Sequence, residues 1–197
     1  YYSNTSLVDF AHLWGVKVMV SIGGWTLSDN FPEIANNPKK TETFVKECVR
    51  VIKDFQFDGI DIDWEYPCYE EHSGRPEMDK KNFTKFMQAI RNGIDTLGKE
   101  LDQELLLTAA FGANTGQMDC IEYGKVSKFM DYINMMTYDF NGTWSPDANH
   151  NSPLYSPEKG YEGSLDLAFK LLRERDVPAY KINLGVAFYG RTIKGFK

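Results

Sequence analysis

The chain alternates between short runs of apolar residues and longer stretches whose apolar residues recur at helical spacing. Five short runs predict β-strands: Val16–Ile22, Phe57–Trp64, Leu105–Phe111, Tyr132–Tyr138 and Ile182–Tyr189. Three stretches between them carry one apolar face at a period of about 3.6 residues and predict amphipathic helices: Lys40–Phe55, Asn82–Leu97 and Ser164–Arg175. Strands and helices that alternate in this way indicate an α/β fold with a parallel sheet covered by helices.

Four carboxylates fall within residues 58–65 of the second run, which otherwise has the composition of a buried strand. Side chains alternate along a strand, so Asp61, Asp63 and Glu65 share one face, with successive Cα atoms roughly 6–7 Å apart. Three carboxylates this close in a partly desolvated site repel one another, and we expect at least one to hold a proton near neutral pH. Glycosidases typically use a neutral carboxylic acid and a nearby ionised carboxylate as their catalytic groups.

A solvated strand face or a metal site would account for this acidic row less well. A solvated face would usually mix charges and carry Thr, Lys or Ser, whereas this row repeats carboxylates at every second residue. Clustered oxygens also suit Mg²⁺ or Ca²⁺, and spacing alone leaves that alternative open. The flanking Asn or Asp residues and the glycine spacing of a calcium loop are missing from the sequence, so we expect neither a metal nor a cofactor.

Aromatic residues collect where the predicted strands end. They are Trp25, Phe111, Tyr138, Trp144 and Tyr189. Active sites of (β/α)8 barrels lie at the carboxyl ends of the strands, and the apolar faces of sugar rings dock on exposed aromatic rings. Trp25 and Trp144 are the best candidates for such platforms, and the Asn-, Pro- and Gly-rich loop 141–156 is expected to form part of a cleft wall.

Four segments resemble one enzyme family. Residues 58–67, DGIDIDWEYP, resemble the catalytic strand of family 18 glycoside hydrolases, the chitinases and their relatives, whose pattern is Asp-Gly-x-Asp-x-Asp-x-Glu. Residues 21–24, 136–139 and 185–191 are similar to further strand segments of that family, in the family's order. The resemblance implies a TIM (β/α)8 barrel.

The resemblance also implies that the chain is an excerpt of such a barrel. A complete barrel takes about 250 residues and eight strands, whereas this chain has 197 residues and five predicted strands. Residues 1–197 would form a partial catalytic domain covering about strands 3 to 7, with residues 1–14 as the helix before strand 3. The first two strands, the insertion domain and the last strand, with its tryptophan floor, would lie outside it. We therefore expect the 197-residue chain alone to be a poor enzyme.

The implied activity is hydrolysis of β-1,4-linked N-acetylglucosamine polymers, chitin and chito-oligosaccharides, with retention. Asp63 and Glu65 project from one face of one strand, so neither is placed to attack the opposite face of the sugar. The family instead uses the substrate's own 2-acetamido oxygen as the nucleophile, through an oxazolinium intermediate. The resemblance assigns Glu65 as the proton donor, Asp63 as the partner of the acetamido N–H, and Asp61 as the residue that shares a proton with Asp63.

The remaining site residues also follow from the resemblance. Tyr138 would donate to the acetamido oxygen, Asp139 and Arg191 would hold sugar hydroxyls, and Met136 and Tyr66 would shape the central subsite. Two alternatives stay open: a chitin-binding, lectin-like relative without turnover, and an enzyme of the same mechanism acting on N-linked glycans or peptidoglycan. The presence of Glu65 counts against the lectin, since such relatives typically lose the acid.

Charge, hydropathy and cysteine content narrow the remaining possibilities. The net charge of −6 argues against nucleic acid as a partner, and the sequence has no run of about 18 apolar residues that would indicate a membrane span. The resemblance implies a secreted, extracellular protein, although no signal peptide is visible. Three cysteines, Cys48, Cys68 and Cys120, are an odd number, and we expect no disulfide framework; Cys48 lies on an apolar helix face and is expected to be buried.

Overall fold

The structure, a computed structural model, describes residues 6–72, 74–146, 148–157, 161 and 163–192. Its centre is a sheet of five parallel strands in the order β1-β2-β3-β4-β5. The strands are β1 Val20–Gly23, β2 Gly59–Asp63, β3 Leu106–Gly112, β4 Tyr132–Met136 and β5 Ile182–Leu184. The predicted α/β fold with a parallel sheet is therefore confirmed, and β1 and β5 are the edges of the sheet in the described ranges.

The first and last predicted strands are longer than the strands observed. At the start of the first run, Val16 N–H donates to the carbonyl of Ala11 and Val18 N–H donates to the side chain of Asp58, so neither N–H bonds to the backbone of a neighbouring strand. At the other end, Gly185 N–H still donates to the carbonyl of Met135 at 2.9 Å, but the Gly185 carbonyl accepts from the Thr137 hydroxyl at 2.6 Å, and regular pairing stops at Leu184. Hydrogen bonds outside the ladder thus set both limits.

In the ranges that the structure describes, seven α-helices connect and cover the strands. They are α1 Leu7–Leu13, α2 Phe31–Asn36, α3 Pro38–Phe55, α4 Asp79–Leu101, α5 Thr115–Asp119, α6 Tyr123–Val126 and α7 Leu165–Glu174. Short 3₁₀ turns lie at Glu70–His72 and Ala179–Lys181. The predicted amphipathic helices correspond to α3, α4 and α7; α1 accounts for the described part of the predicted helix 1–14, whose residues 1–5 lie outside the described ranges. The short helices α2, α5 and α6 were not predicted.

Local sequence explains where the long helices begin. Asn37 precedes α3, and its side-chain oxygen accepts hydrogen bonds from the N–H groups of Lys39 and Lys40. Pro38 takes the first helical position, where the missing N–H has no partner to lose. Ser164 caps α7 in the same way by accepting from Leu167 N–H at 3.2 Å.

The hydrophobic core lies between the sheet and the helices. The apolar side chains of β2 point into it, together with Trp64, which is 2% exposed and stacks on Phe31 at 5.5 Å between ring centroids. Helix α4 contributes a continuous buried face that includes Phe86 and Ile90. Because this face of β2 is filled by the core, the alternating carboxylates must point to the other side of the sheet.

Cysteine pairing differs from the expectation. Cys68 and Cys120 form a disulfide with Cα atoms 6.2 Å apart, so the prediction of no disulfide was wrong. The two residues lie in the segments that follow β2 and β3, and the carboxyl ends of neighbouring parallel strands meet at one edge of the sheet. The odd count arises from Cys48, which is buried in the core as expected; burial raises the pKa of its thiol to about 12.

Candidate active site

The acidic row of β2 rests on a hydrogen-bonded base at Asp61. One Asp61 oxygen accepts from Ser21 of β1 at 2.6 Å. The other accepts from Thr108 of β3 at 2.5 Å and from Asn134 of β4 at 3.2 Å. Asn183 of β5 continues this Asp61 network by donating to the side-chain oxygen of Asn134 at 2.9 Å. Three donors, one each from β1, β3 and β4, thus hold this one carboxylate in place.

Asp63 has the opposite environment. Its Oδ1 atom is buried and has no hydrogen-bond partner among the described residues. Burial, followed by the negative charges of Glu65 and Asp61, raises the pKa of Asp63 from its ordinary 3.8 to about 6. Asp63 is therefore the carboxyl group of the row that can hold a proton near neutral pH.

Backbone contacts from the loop after β1 hold the end of the acidic row. Gly24 N–H donates to the Asp63 carbonyl at 2.7 Å. A Cβ on Gly23, whose φ is +120°, would lie 2.1 Å from that carbonyl oxygen, so only glycine permits this approach. The buried hydroxyl of Ser28 accepts from Glu65 N–H at 2.9 Å and donates to the carbonyl of Gly24 at 2.8 Å. The backbone that carries Glu65 is thus fixed from β1.

Glu65 and Tyr66 are joined by a peptide bond in the cis form, and their side chains meet. The Tyr66 hydroxyl donates a hydrogen bond to the Glu65 carboxylate, and burial together with that negative charge raises the pKa of Tyr66 above its usual value. Tyr138 is also half-buried; burial and then the charge of Asp63 raise its pKa. Both phenols therefore stay protonated and can donate at neutral pH.

A cleft of about 730 Å³ opens over Asp63 and Glu65 at the carboxyl ends of the strands. Nine of the predicted site residues line it: Trp25, Asp63, Glu65, Tyr66, Met136, Tyr138, Asp139, Trp144 and Arg191. Asp61 lies in the hydrogen-bonded network beside Asp63 and does not line the cleft. Residues from four segments of the chain, each following a different strand, are thereby brought to one place.

One wall of the cleft is built around Arg191. Its guanidinium pairs with the Asp139 carboxylate and lies over the Trp144 ring at 4.7 Å and over the Tyr189 ring at 5.7 Å. Tyr189 does not line the cleft itself, but its ring is 6.4 Å from that of Tyr138 and its hydroxyl hydrogen-bonds to Asp139. The predicted residues of this wall therefore form one connected group.

Phe111 does not line the cleft and lies in the hydrophobic core. Its side chain is 3% exposed, and its ring contacts those of Tyr123 at 5.3 Å and Phe83 at 5.7 Å in the core. Thr108, which bonds to Asp61, shows which face of β3 looks toward the site, and Phe111 is three residues further and on the opposite face. The structure corrects the prediction that Phe111 contacts substrate, and we leave it out of the proposed site.

A family model described as glycosyl hydrolases family 18 matches residues 5–197. The chain belongs to this family. Among curated family 18 relatives, chitinase A1 of Niallia circulans is 38% identical over 187 residues, covering 89% of this chain and 27% of the relative. Chitotriosidase-1 of Mus musculus is 34% identical over 187 residues, covering 90% of this chain and 39% of the relative. The chain thus spans less than half the length of these relatives.

Solved structures show the same relationship. Chitinase ChiA74 from Bacillus thuringiensis superimposes with a TM-score of 0.84 at 38% identity, covering 89% of this chain and 29% of that one. A family 18 N-acetylglucosaminidase from Paenibacillus barengoltzii gives a TM-score of 0.83 at 32% identity, covering 88% of this chain and 52% of that one. The assignment to family 18 that the sequence motifs predicted is confirmed, and so is the barrel-type α/β fold.

Six residues that line the cleft of this family 18 chain were not predicted from the sequence: Tyr69, Gly112, Ala113, Asn114, Gln117 and Phe140. Asn114 and Gln117 come shortly after β3, so the rule that located the aromatic residues beyond strand ends could have found them. The Tyr69 ring lies 6.1 Å from that of Trp25, in a loop whose path the sequence pattern does not indicate.

Neither a metal-binding cluster nor a membrane-spanning helix is found in the described residues. No group of three or more His, Cys, Asp or Glu side chains is arranged to hold a metal ion in the part of the chain that the structure describes. Within the same ranges, no helix combines the length and the apolar character needed to cross a bilayer.

Proposed function

We propose that this chain carries the catalytic residues of a chitinase-like hydrolase that cleaves β-1,4-linked N-acetylglucosamine polymers with retention. The observation that carries the proposal is the placement of the acids. Among the described residues that line the cleft, the carboxylates are Asp63, Glu65 and Asp139. Asp63 and Glu65 come from one strand face, and Asp139 is paired with Arg191. This leaves no free carboxylate across the cleft as nucleophile among the described lining residues, which favours attack by the substrate's own acetamido oxygen.

When substrate binds, the proton that Asp63 holds in the empty cleft passes to Glu65. In the proposed first step, Glu65 gives this proton to the glycosidic oxygen as the bond to C1 breaks. The acetamido carbonyl oxygen forms a new bond to C1 from the opposite face, and the positive oxazolinium ring results. Asp63, as a carboxylate, accepts a hydrogen bond from the acetamido N–H and stabilises that charge. Tyr138 donates to the acetamido oxygen and holds it for attack.

In the second step, the Glu65 carboxylate takes a proton from water as the water oxygen attacks C1. The bond from C1 to the acetamido oxygen breaks, and the configuration at C1 is retained after two inversions. We keep the prediction that Asp61 and Asp63 share one proton in the empty cleft. The Asp61 oxygens already accept hydrogen bonds from three donors, whereas Asp63 Oδ1 has no partner among the described residues, so we assign the shared proton to Asp63.

The comparisons support the choice of substrate class. The two curated relatives above are named chitinase A1 and chitotriosidase-1. An N-acetylglucosaminidase among the structural neighbours favours a second candidate, an enzyme of the same mechanism that acts on other N-acetylglucosamine glycans. A lectin-like role without turnover is disfavoured, because Glu65 lies in the cleft with Tyr66 hydrogen-bonded to it.

We also propose that the protein is secreted and that its catalytic domain includes further barrel strands. The Cys68–Cys120 disulfide supports secretion, since such bonds persist in oxidising compartments. The open five-stranded sheet supports the second point, because barrels of this class close with eight strands. Activity assays should therefore use the protein with every barrel strand present.

Product analysis tests the proposed function directly. Chitin, chito-oligosaccharides, a high-mannose glycopeptide, fully deacetylated chitosan and cellulose oligomers are incubated with the enzyme, and the anomer released is identified. We expect cleavage only where a 2-acetamido group is present at the cleavage site, with the β product from chitin oligomers. Cleavage of chitosan or cellulose, or an α product, would refute substrate assistance. Cleavage of the glycopeptide alone would select the second candidate.

Glu65→Gln tests the acid in the same assay. The amide keeps the shape of the side chain but donates no proton to the leaving group, so turnover should fall by at least roughly 10²–10⁴-fold while oligosaccharide binding persists. Glu70→Gln is the matched control, since Glu70 is an exposed carboxylate of the following loop that does not line the cleft. Wild-type kcat in Glu65→Gln would show that the acid is another residue.

A further inference from the structure

Two segments that follow neighbouring strands form one wall of the cleft. Residues 64–72 and 74–78, after β2, contribute Tyr66 and Tyr69 to the lining, and residues 113–120, after β3, contribute Asn114 and Gln117. The Cys68–Cys120 disulfide joins the two segments. Cys68 directly precedes Tyr69 in the sequence. Cys120 caps the carboxyl end of α5, and Asn114 lies at the start of the same helix. The covalent bond therefore lies directly behind the residues that face the cleft.

Hydrogen bonds to the first residue of α4 also hold the first segment in place. Asp79, the first residue of α4, is fully buried, and its Oδ2 atom accepts from Cys68 N–H at 2.9 Å and from Arg75 N–H at 2.6 Å. Gly74 N–H donates to the Tyr69 carbonyl at 2.9 Å, and a Cβ on Gly74 would lie 2.3 Å from the Tyr69 nitrogen. These contacts bring the backbone at Cys68 and the backbone at Arg75 together on the Asp79 carboxylate.

The second segment has its own anchors. The side chain of Met118 is fully buried in the core under α5. The Lys80 ammonium, on the first turn of α4, donates to the carbonyl of Asp119 at 2.6 Å. The segment is therefore held to α4 beside the disulfide.

Of the two aromatic residues of this wall, Tyr66 hydrogen-bonds to Glu65, whereas Tyr69 lies apart from the acids. The Tyr69 ring contacts the rings of Trp25 at 6.1 Å and Tyr66 at 6.4 Å between centroids, and its hydroxyl donates to Glu71 at 2.6 Å. Glu65 is instead fixed through Ser28 and the β1 loop. Loosening the wall would thus move Tyr69 while leaving the acid in place.

We propose that the Cys68–Cys120 disulfide, seated on the buried Asp79, is a positioning element that sets the affinity for sugar units bound away from the cleaved bond. It does so by holding Tyr69 and the Asn114–Gln117 turn in the positions where they line the cleft. The inference rests on the proposed function, because it concerns the same cleft. Its signature is a change in KM for long substrates with little change in kcat.

The test compares Cys68→Ser, Cys120→Ser and the double variant with wild type, using chito-oligosaccharides of two lengths and thermal unfolding. Without the bond the wall side chains must be ordered on binding, which opposes affinity. We expect KM for the long oligosaccharide to rise about three- to tenfold, with kcat within about twofold and the KM of the shortest cleaved substrate unchanged. Cys48→Ala, a core cysteine outside the cleft, is the matched control and should keep the wild-type KM for both.

Reduction of the folded wild type, followed by alkylation, is the second measurement and does not require the variants to fold. It should reproduce the KM shift in wild type and in Cys48→Ala, and should add nothing to the double variant. An unchanged KM for the long substrate after reduction, or an equal fall in kcat on every substrate, would overturn the inference. If wild type itself cleaved no acetylated oligosaccharide, the proposed function would fail instead.

Discussion

Replacing Asp63 by asparagine should stabilise the protein at neutral pH while removing its activity. In the folded protein the Asp63 pKa is raised from 3.8 to about 6 by burial and by the charges of Glu65 and Asp61. Between these two pH values the folded state binds more protons than the unfolded state. By linkage, the free energy of unfolding therefore falls as pH rises through that window.

The size of this effect follows from the pKa. Each pKa unit corresponds to about 1.36 kcal/mol, so ionising Asp63 in place costs about 3 kcal/mol at pH 7 and about half of that at pH 5. Below pH 3.8 the cost vanishes. Asparagine resembles the protonated carboxyl group and carries no charge. Asp63→Asn should thus be about 3 kcal/mol more stable than wild type at pH 7 and nearly equal to it at pH 3.

Urea denaturation followed by tryptophan fluorescence at pH 3, 5 and 7 measures the difference. Asp61→Asn is the matched control, since Asp61 lies on the same strand face but accepts hydrogen bonds from Ser21, Thr108 and Asn134. Neutralising a carboxylate that has three donors should give no gain at pH 7. A stability difference for Asp63→Asn that does not change with pH, or a loss at pH 7, would refute the reasoning.

Two further variants distinguish the effect of losing a cleft side chain from the effect of losing a core side chain. Tyr138→Phe should lower kcat roughly 10²–10³-fold with little loss of stability, because it removes a protonated donor aimed at the reacting acetamido group; unchanged kcat on chito-oligosaccharides would contradict that role. Phe111→Ala should lower the free energy of unfolding by about 3–5 kcal/mol, because the ring is 3% exposed, and should leave KM unchanged. A raised KM without loss of stability would return Phe111 to the cleft.

The central part of the fold could be predicted because its signals are local. Strands β2, β3 and β4 differ from the predicted runs by two residues or fewer at each end, since apolar composition and turn residues bound them. The edge strands β1 and β5 were predicted too long. Their limits depend on hydrogen bonds to distant groups, the Asp58 side chain for β1 and the Thr137 hydroxyl for β5, which no local pattern reveals.

The site divides in the same way. The acidic row follows from strand alternation alone, and the same alternation would have placed Phe111 in the core had it been applied to β3. The Cys68–Cys120 bond joins residues 52 positions apart, and Tyr69 reaches the cleft only through the fold of its loop. Such contacts depend on how loops close over the sheet, and sequence spacing contains no information about that.

The Asp61 network also bears on how the sheet assembles. Its donors come from β1, β3 and β4, and Asn183 extends it to β5, so the network crosses all five strands. A strand that paired one residue out of register would turn its donor toward the helices and leave the carboxylate short of partners. A partly buried carboxylate that loses its hydrogen-bond donors is destabilised, so misaligned sheets are penalised during folding. Asp61, a residue of the candidate active site, thereby favours the correct register of the strands.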